Sequence, residues 1–284
     1  MPFTLSHAAA VLPVLRTDGS GRGRLVPAVL VAGTFAPDMT YYAASVLPEA
    51  MAFGDVTHAF PGVFTVDVLV TWALVGLWLL LREPLVALLP RARQGRLAAL
   101  VRCGSPRARV RPALVARWYG SAVLGSLTHV VWDAFTHLDR WGMRVFPVLG
   151  REVAGSPLYW YLQYGGSAVA AVVIALFVAR GLRRMPAGEP VGVPVLSVRD
   201  RWAAVAVIGG FALVGAVQRA ARWWAYWGSA AKPWEIIPTV CFGAGAGLVP
   251  ALLLHAVAVR AWRPVPACGG PGRVGEEPSR SAVR

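Results

Sequence analysis

The chain has 284 residues, of which 56 % are hydrophobic and 15 % charged, and its mean hydropathy is +0.55. Soluble domains carry about 25 % charged residues, so this composition excludes a soluble globular protein, a disordered chain and a secreted disulfide scaffold, and points to a polytopic membrane protein. The formal net charge of +14 comes almost entirely from arginine, since Lys232 is the single lysine; the arginines fall in short stretches between apolar runs, as membrane topology requires, and the distribution argues against nucleic acid as a partner.

In chain order, two short apolar runs come first, Phe3–Leu15 and Leu25–Phe35. Neither reaches the roughly 20 residues needed to cross about 30 Å of hydrocarbon, so they are expected to form a helical hairpin. No basic residue precedes the stretch Ala8–Leu15, which is short for the apolar region of a signal sequence, and the N-terminus is expected to be retained. Gly62–Leu81, Leu162–Ala179, Trp202–Val217 and Ile236–Val259 are long and apolar enough to be expected as spans. A fifth apolar segment, Ala113–Thr136, carries Arg117, His129 and Asp133. The fold class expected is all-α: a helical membrane domain over residues 1–260 with about five to seven membrane helices, a metal-site half at 1–170 and extra membrane helices at 171–260. Residues 261–284 are basic and rich in Pro and Gly, and are expected to be a disordered tail.

The arginine-rich stretches 82–117 and 180–201, together with the tail, are expected on the cytoplasmic side. The same rule places the turn Arg16–Arg24 there, so that His7 and Asp38, each roughly 14–21 Å from it at about 1.5 Å per helical residue, meet at one level away from the cytoplasm. Arg222-Trp223-Trp224-Ala225-Tyr226-Trp227 reads as an interfacial aromatic belt. Cys103, Cys241 and Cys268 have no motif spacing and receive no role.

Ionisable residues inside apolar segments are costly and mark functional sites. Here they are His7, Asp38, His58, Asp67, His129, Asp133 and His137, and the set includes four of the five histidines; His255 reads as structural. Residues four apart share a helix face, so His129 with Asp133, or Asp133 with His137, can hold one ion. His129 and His137, about 12 Å apart along an axis, are not expected to share one directly. Two adjacent ions bridged by Asp133, or one ion with His137 outside it, both fit. Imidazole with carboxylate suits zinc, with manganese or iron as alternatives. The expected topology brings His7, Asp38, His58, His129, Asp133 and His137 to one membrane half. Asp67, nine residues beyond His58, would serve another ion or an outer role.

Several of these residues sit in short ordered motifs: Met1-Pro2-Phe3-Thr4-Leu5-Ser6-His7-Ala8-Ala9-Ala10, Ala36-Pro37-Asp38, Thr57-His58, Trp132-Asp133-Ala134-Phe135-Thr136-His137 and Gln163-Tyr164-Gly165-Gly166-Ser167. On these the first 170 or so residues resemble a bacterial membrane family of unknown function, similar to the LexA-binding, inner-membrane-associated metal-dependent hydrolases. More distantly they resemble the helical zinc-dependent phospholipase C and nuclease superfamily. The resemblance implies metal-ligand roles for His7, Asp38, His58, His129 and Asp133, with His137 nearby, and location in the bacterial inner membrane. A further late His and Glu of that superfamily have no counterpart here, which implies one or two ions and not three.

The expected function is metal-assisted hydrolysis of a lipid phosphoester at the membrane surface, with Asp38 or Asp133 accepting the proton. Rival readings are a haem protein, a metal transporter and a scaffold with a structural metal. The bilayer and a lipid or phosphoester substrate are the expected partners.

Overall fold

A computed structural model describes residues 3–102, 112–230 and 236–263. The basic tail beyond 263, Cys103, Cys268 and part of the 82–117 stretch lie outside the described residues.

The described chain is all-α, a polytopic membrane architecture apart from one two-residue ribbon pairing Glu152–Val153 with Ser156–Pro157. A 3-10 helix, Thr4–Val14, is followed by a turn and by helix α1, Pro27–Gly33. These form the expected N-terminal hairpin, too short to span. The next 30 residues fold as a chain of single turns at Ala36–Asp38, Met39–Ala43, Pro48–Met51, Gly54–Thr57 and Phe60–Phe64, several opened by proline. Proline suits the first helical position because its missing N–H would have no partner there.

Long helices follow: α2 Val66–Ala87, α3 Arg91–Arg102, α4 Pro112–Ala134, α5 Leu158–Arg184, α6 Val198–Trp227 and α7 Ile236–Trp262. Four of these, α2, α5, α6 and α7, are long and apolar enough to cross a membrane; α4 has the length but carries the polar residues of the fifth expected segment. Their boundaries differ from the apolar windows for local reasons. Helix α2 starts four residues late, because Pro61 opens a separate turn and Thr65 leaves helical geometry at φ −127°, ψ −86°. Helix α6 starts four residues early, at a capping box: Ser197 Oγ accepts from the Asp200 N–H (3.1 Å) and Asp200 Oδ2 from the Ser197 N–H (3.0 Å). It then runs through Trp227, so the aromatic belt is the last turns of a helix. The arginine-rich stretch also holds a helix, α3, which buries Ala98 against Val86, Ala87, Val193 and Val259, and Gln94, whose amide donates to Ala87 O and Leu89 O.

Packing relies on close backbone approach. A methyl at Gly125 of α4 would stand 2.3 Å from the Leu30 carbonyl oxygen, and one at Gly33 would stand 2.7 Å from that of Ala122. Helices α1 and α4 therefore touch backbone to backbone. Helices α6 and α7 do the same, with Gly215 and Gly243 facing each other's carbonyls. Small residues at such crossings are the usual basis of helix association in lipid, where apolar side chains gain nothing by leaving the bilayer. Around α1 the core is built from Val26, Val29, Ala32, Val68, Val75 and Ala122.

Candidate metal centre

The close contact of α1 with α4 sets the first ligand. It lays the chain end of α1 along α4, and His129 Nδ1 hydrogen-bonds the Thr34 carbonyl oxygen at 2.7 Å. Ser126, one turn earlier, donates to Gly33 O at 3.1 Å and holds the same crossing. His58, ending the turn Gly54–Thr57, hydrogen-bonds Gly54 O through Nδ1 at 2.9 Å. Thr57 ties that turn to the Ala36–Asp38 turn through Pro37 O, 2.8 Å. Asp38 is oriented by Thr4, whose hydroxyl donates to Oδ2 at 2.6 Å. Asp133 lies one turn beyond His129 on α4.

These elements bring four donor atoms to one place. His129 Nε2 lies 3.5 Å from Asp38 Oδ1 and 3.4 Å from Asp133 Oδ2, while His58 Nε2 lies 3.6 and 3.7 Å from the same two oxygens. Asp38, His58, His129 and Asp133 are all buried, with ligand atoms within 4.8 Å of one another.

The tautomers give this geometry its meaning. A carbonyl oxygen can only accept, so in each neutral ring Nδ1 carries the proton and Nε2 presents a lone pair. Neither Nε2 has a hydrogen-bond partner among the described residues. With neutral rings, two lone pairs face two carboxylate oxygens in a dry interior. A cation resolves that arrangement. Ligand atoms about 2.0–2.2 Å from one ion at tetrahedral angles stand about 3.3–3.6 Å apart, close to the four separations found. Backbone acceptors on the far nitrogens of ligating histidines and a hydroxyl on a ligating carboxylate are the usual outer support of a metal site. The residues present therefore fit a four-coordinate divalent ion such as zinc.

His7 is next to this set. Its ring stacks on His129, centroids 3.6 Å apart and planes 14° from parallel, and Nε2 lies 3.4 Å from Asp133 Oδ1. Both of its nitrogens lack hydrogen-bond partners among the described residues, and the side chain is 1 % exposed. Asp133 thus offers one oxygen to the four-residue set and the other to His7. His137 stays outside: Nδ1 meets the Asp133 carbonyl (3.3 Å) and Oδ2 (3.5 Å), and Nε2 meets the Gln163 amide at 3.1 Å. Asp67 is also outside it. It is fully buried on α2, and its carboxylate oxygens have no hydrogen-bond partner among the described residues. His255 bonds Pro84 O at 3.1 Å, on the α2–α7 contact and apart from the site.

Sequence reasoning missed the surroundings. Tyr41 packs on the His58 ring, centroids 5.4 Å apart, and burial pushes its hydroxyl up to about 12, so it stays neutral. Arg140 donates to that hydroxyl at 3.4 Å. From α6, Arg219 donates to Tyr41 O and Ser45 Oγ, both at 2.6 Å, and Arg222 to Ser45 O at 3.1 Å. No carboxylate pairs with these three arginines among the described residues. The Gln163–Ser167 motif opens α5 beside the centre: Gln163 meets His137, and Ser167 lies 3.4 Å from Ser6.

No characterised protein and no solved structure matched the chain. One family matched residues 1–257, which takes in every residue of the centre, three of the membrane-length helices and all but the last turn of α7, and the chain therefore belongs to that family, the domain of unknown function DUF4184.

Proposed function

We propose that the protein is a metal-dependent hydrolase of the bacterial inner membrane that cleaves a lipid phosphoester, related in chemistry to the LexA-binding, inner-membrane-associated hydrolases and more distantly to the zinc-dependent phospholipase C and nuclease superfamily. One observation carries the reading: the lone pairs of His58 and His129 Nε2 converge with Asp38 Oδ1 and Asp133 Oδ2 at ligand-to-ligand distances. Zinc held by these four side chains would have to expand its coordination to take a water, whose pKa it would lower towards about 7, and it would offer positive charge to the phosphoryl oxygens.

The protein's own groups complete the chemistry. Asp133 Oδ1, turned from the four-residue set, receives the proton of the attacking water, and His7 Nε2 at 3.4 Å takes it onward. Asp38, locked by Thr4, holds the opposite side and is the alternative acceptor. Water oxygen joins phosphorus, the phosphoester bond breaks, and the leaving oxygen takes up the proton. Arg140 at the edge offers charge to the phosphate. The arginine-rich stretches 82–117 and 180–201 and the tail face the cytoplasm in this reading, and the centre opens to the other side.

The test uses detergent-purified, zinc-loaded protein with phosphatidic acid and phosphatidylglycerol as separate substrates. Release of diacylglycerol from at least one of them, lost on chelation and in His129→Ala, is expected. Metal-loaded wild type that cleaves neither lipid would overturn the hydrolase reading.

A further inference from the structure

A groove of about 400 Å³ runs along the outer side of the centre, lined by Ser6, His7, Ala9, Ala10, Trp132, Gly166, Val169, Ala170 and Val173. Three elements wall it: the N-terminal 3-10 helix, α4 and α5. Its wall on α5 is a face of a membrane-length helix, with Val169 64 % and Val173 42 % exposed, so acyl chains are what surround it. Its floor is made of small residues, Ala9, Ala10, Gly166 and Ala170. Its polar residues are Ser6 and His7. The Ser6 hydroxyl is satisfied by Phe3 O at 2.6 Å, whereas His7 has no hydrogen-bond partner among the described residues and faces Asp133. The groove is thus lined mainly by apolar residues and includes the imidazole that touches the centre.

We propose that this groove holds one acyl chain of the substrate, entering sideways from the bilayer, and that His7 marks where the chain gives way to the phosphoester. This rests on the hydrolase reading for the word substrate, and it assigns the substrate class: a long-chain phospholipid rather than a water-soluble phosphate ester. Trp132, 39 % exposed on α4, sets its ring against Gly166 of α5, so the chain lies against that ring.

Two measurements test it on the full chain in detergent and in vesicles. The first is photo-crosslinking with phosphatidic acid that bears a diazirine on one acyl chain, mapped by mass spectrometry. Adducts are expected to concentrate on residues 9–10, 132 and 166–173, and to disappear there in Ala170→Phe while those on α6 and α7 remain. The second compares dioleoyl with dihexanoyl phosphatidic acid as substrates, with bound zinc measured in parallel. Filling the groove in Ala170→Phe should cut turnover of the long-chain lipid about tenfold or more relative to the short one, since a pocket discriminates each methylene by about ten-fold or more, with zinc content unchanged. Adducts spread evenly over all lipid-facing helices, or equal losses on both lipids, overturn the groove. Groove adducts without hydrolysis of any lipid leave the acyl site standing and defeat the hydrolase reading. Hydrolysis with no groove adducts does the reverse.

Discussion

Asp133→Asn is the most informative single change, because it keeps the shape of the side chain and removes one charge. The ligand oxygens of Asp38 and Asp133 lie within 4.8 Å of one another. At an effective dielectric constant of about 20, two full charges at that distance repel by about 3.5 kcal/mol. If His58 and His129 are neutral, each donating from Nδ1 to Gly54 O or Thr34 O, a bound cation is what offsets this. Wild type should therefore carry about one equivalent of zinc and depend on it. At a free concentration of 100 times Kd the ion adds about 2.7 kcal/mol of stability, which at roughly 2–3 °C per kcal/mol for a chain of this size is about 5–8 °C in the unfolding midpoint. In Asp133→Asn the zinc should be lost, the repulsion should be gone, and chelator should no longer move the midpoint. Elemental analysis of untagged protein and thermal unfolding with and without chelator read both effects. The competing arrangement is a metal-free network in which one or more imidazoles are protonated against the two carboxylates. It gives the opposite result: no metal in wild type, no chelator effect, and a loss of about 3–5 kcal/mol in the variant from a buried cation stripped of its partner. That outcome would refute the metal reasoning.

Three further outcomes follow from named contacts. Thr4→Val removes the hydroxyl that holds Asp38 Oδ2 and should weaken zinc binding about 10- to 100-fold in a chelator competition, with the helical content unchanged. Gly125→Ala puts a methyl 2.3 Å from Leu30 O; it should destabilise the protein by about 1–3 kcal/mol and also release zinc, because it pushes Thr34 O off His129. Arg140→Leu should raise KM for a phosphoester about tenfold with kcat and zinc content retained, as steady-state kinetics would show.

How much of this is legible in the sequence depends on the residue. His7, Asp38, His58, His129 and Asp133 stand out because each is an ionisable group in an apolar setting, and the structure brings all five together. The i to i+4 spacing puts His137 beside Asp133, but spacing cannot show which way a ring turns, and Gln163 and the Asp133 carbonyl take its nitrogens. The supporting acceptors, Thr34 O and Gly54 O, are backbone atoms with no signature of residue type. The spans are visible as windows of hydropathy, while their ends are set by Ser197, Asp200, Pro61 and Thr65, which such windows average away. Helix α3 is hidden by its arginines although it buries Gln94 and Ala98. The stretch Arg222–Trp227 reads as an aromatic anchor, and nothing local to it reveals that Arg222, like Arg219, reaches back to Ser45.

The centre is made of pieces synthesised far apart. His7 meets Asp133 only after another 126 residues have been made, Ser6 lies against Ser167, and Ser45 is clasped by arginines more than 170 residues downstream. An emerging N-terminal segment thus has no site to fill: its histidine and aspartate wait, unliganded, while the membrane helices are inserted one by one. On the metal reading, loading would be a late event in the life of the chain, coupled to completion of the bundle and not to its beginning. On that reading a chain stalled before α4 would hold no ion, and metal occupancy would report that the whole membrane domain has closed.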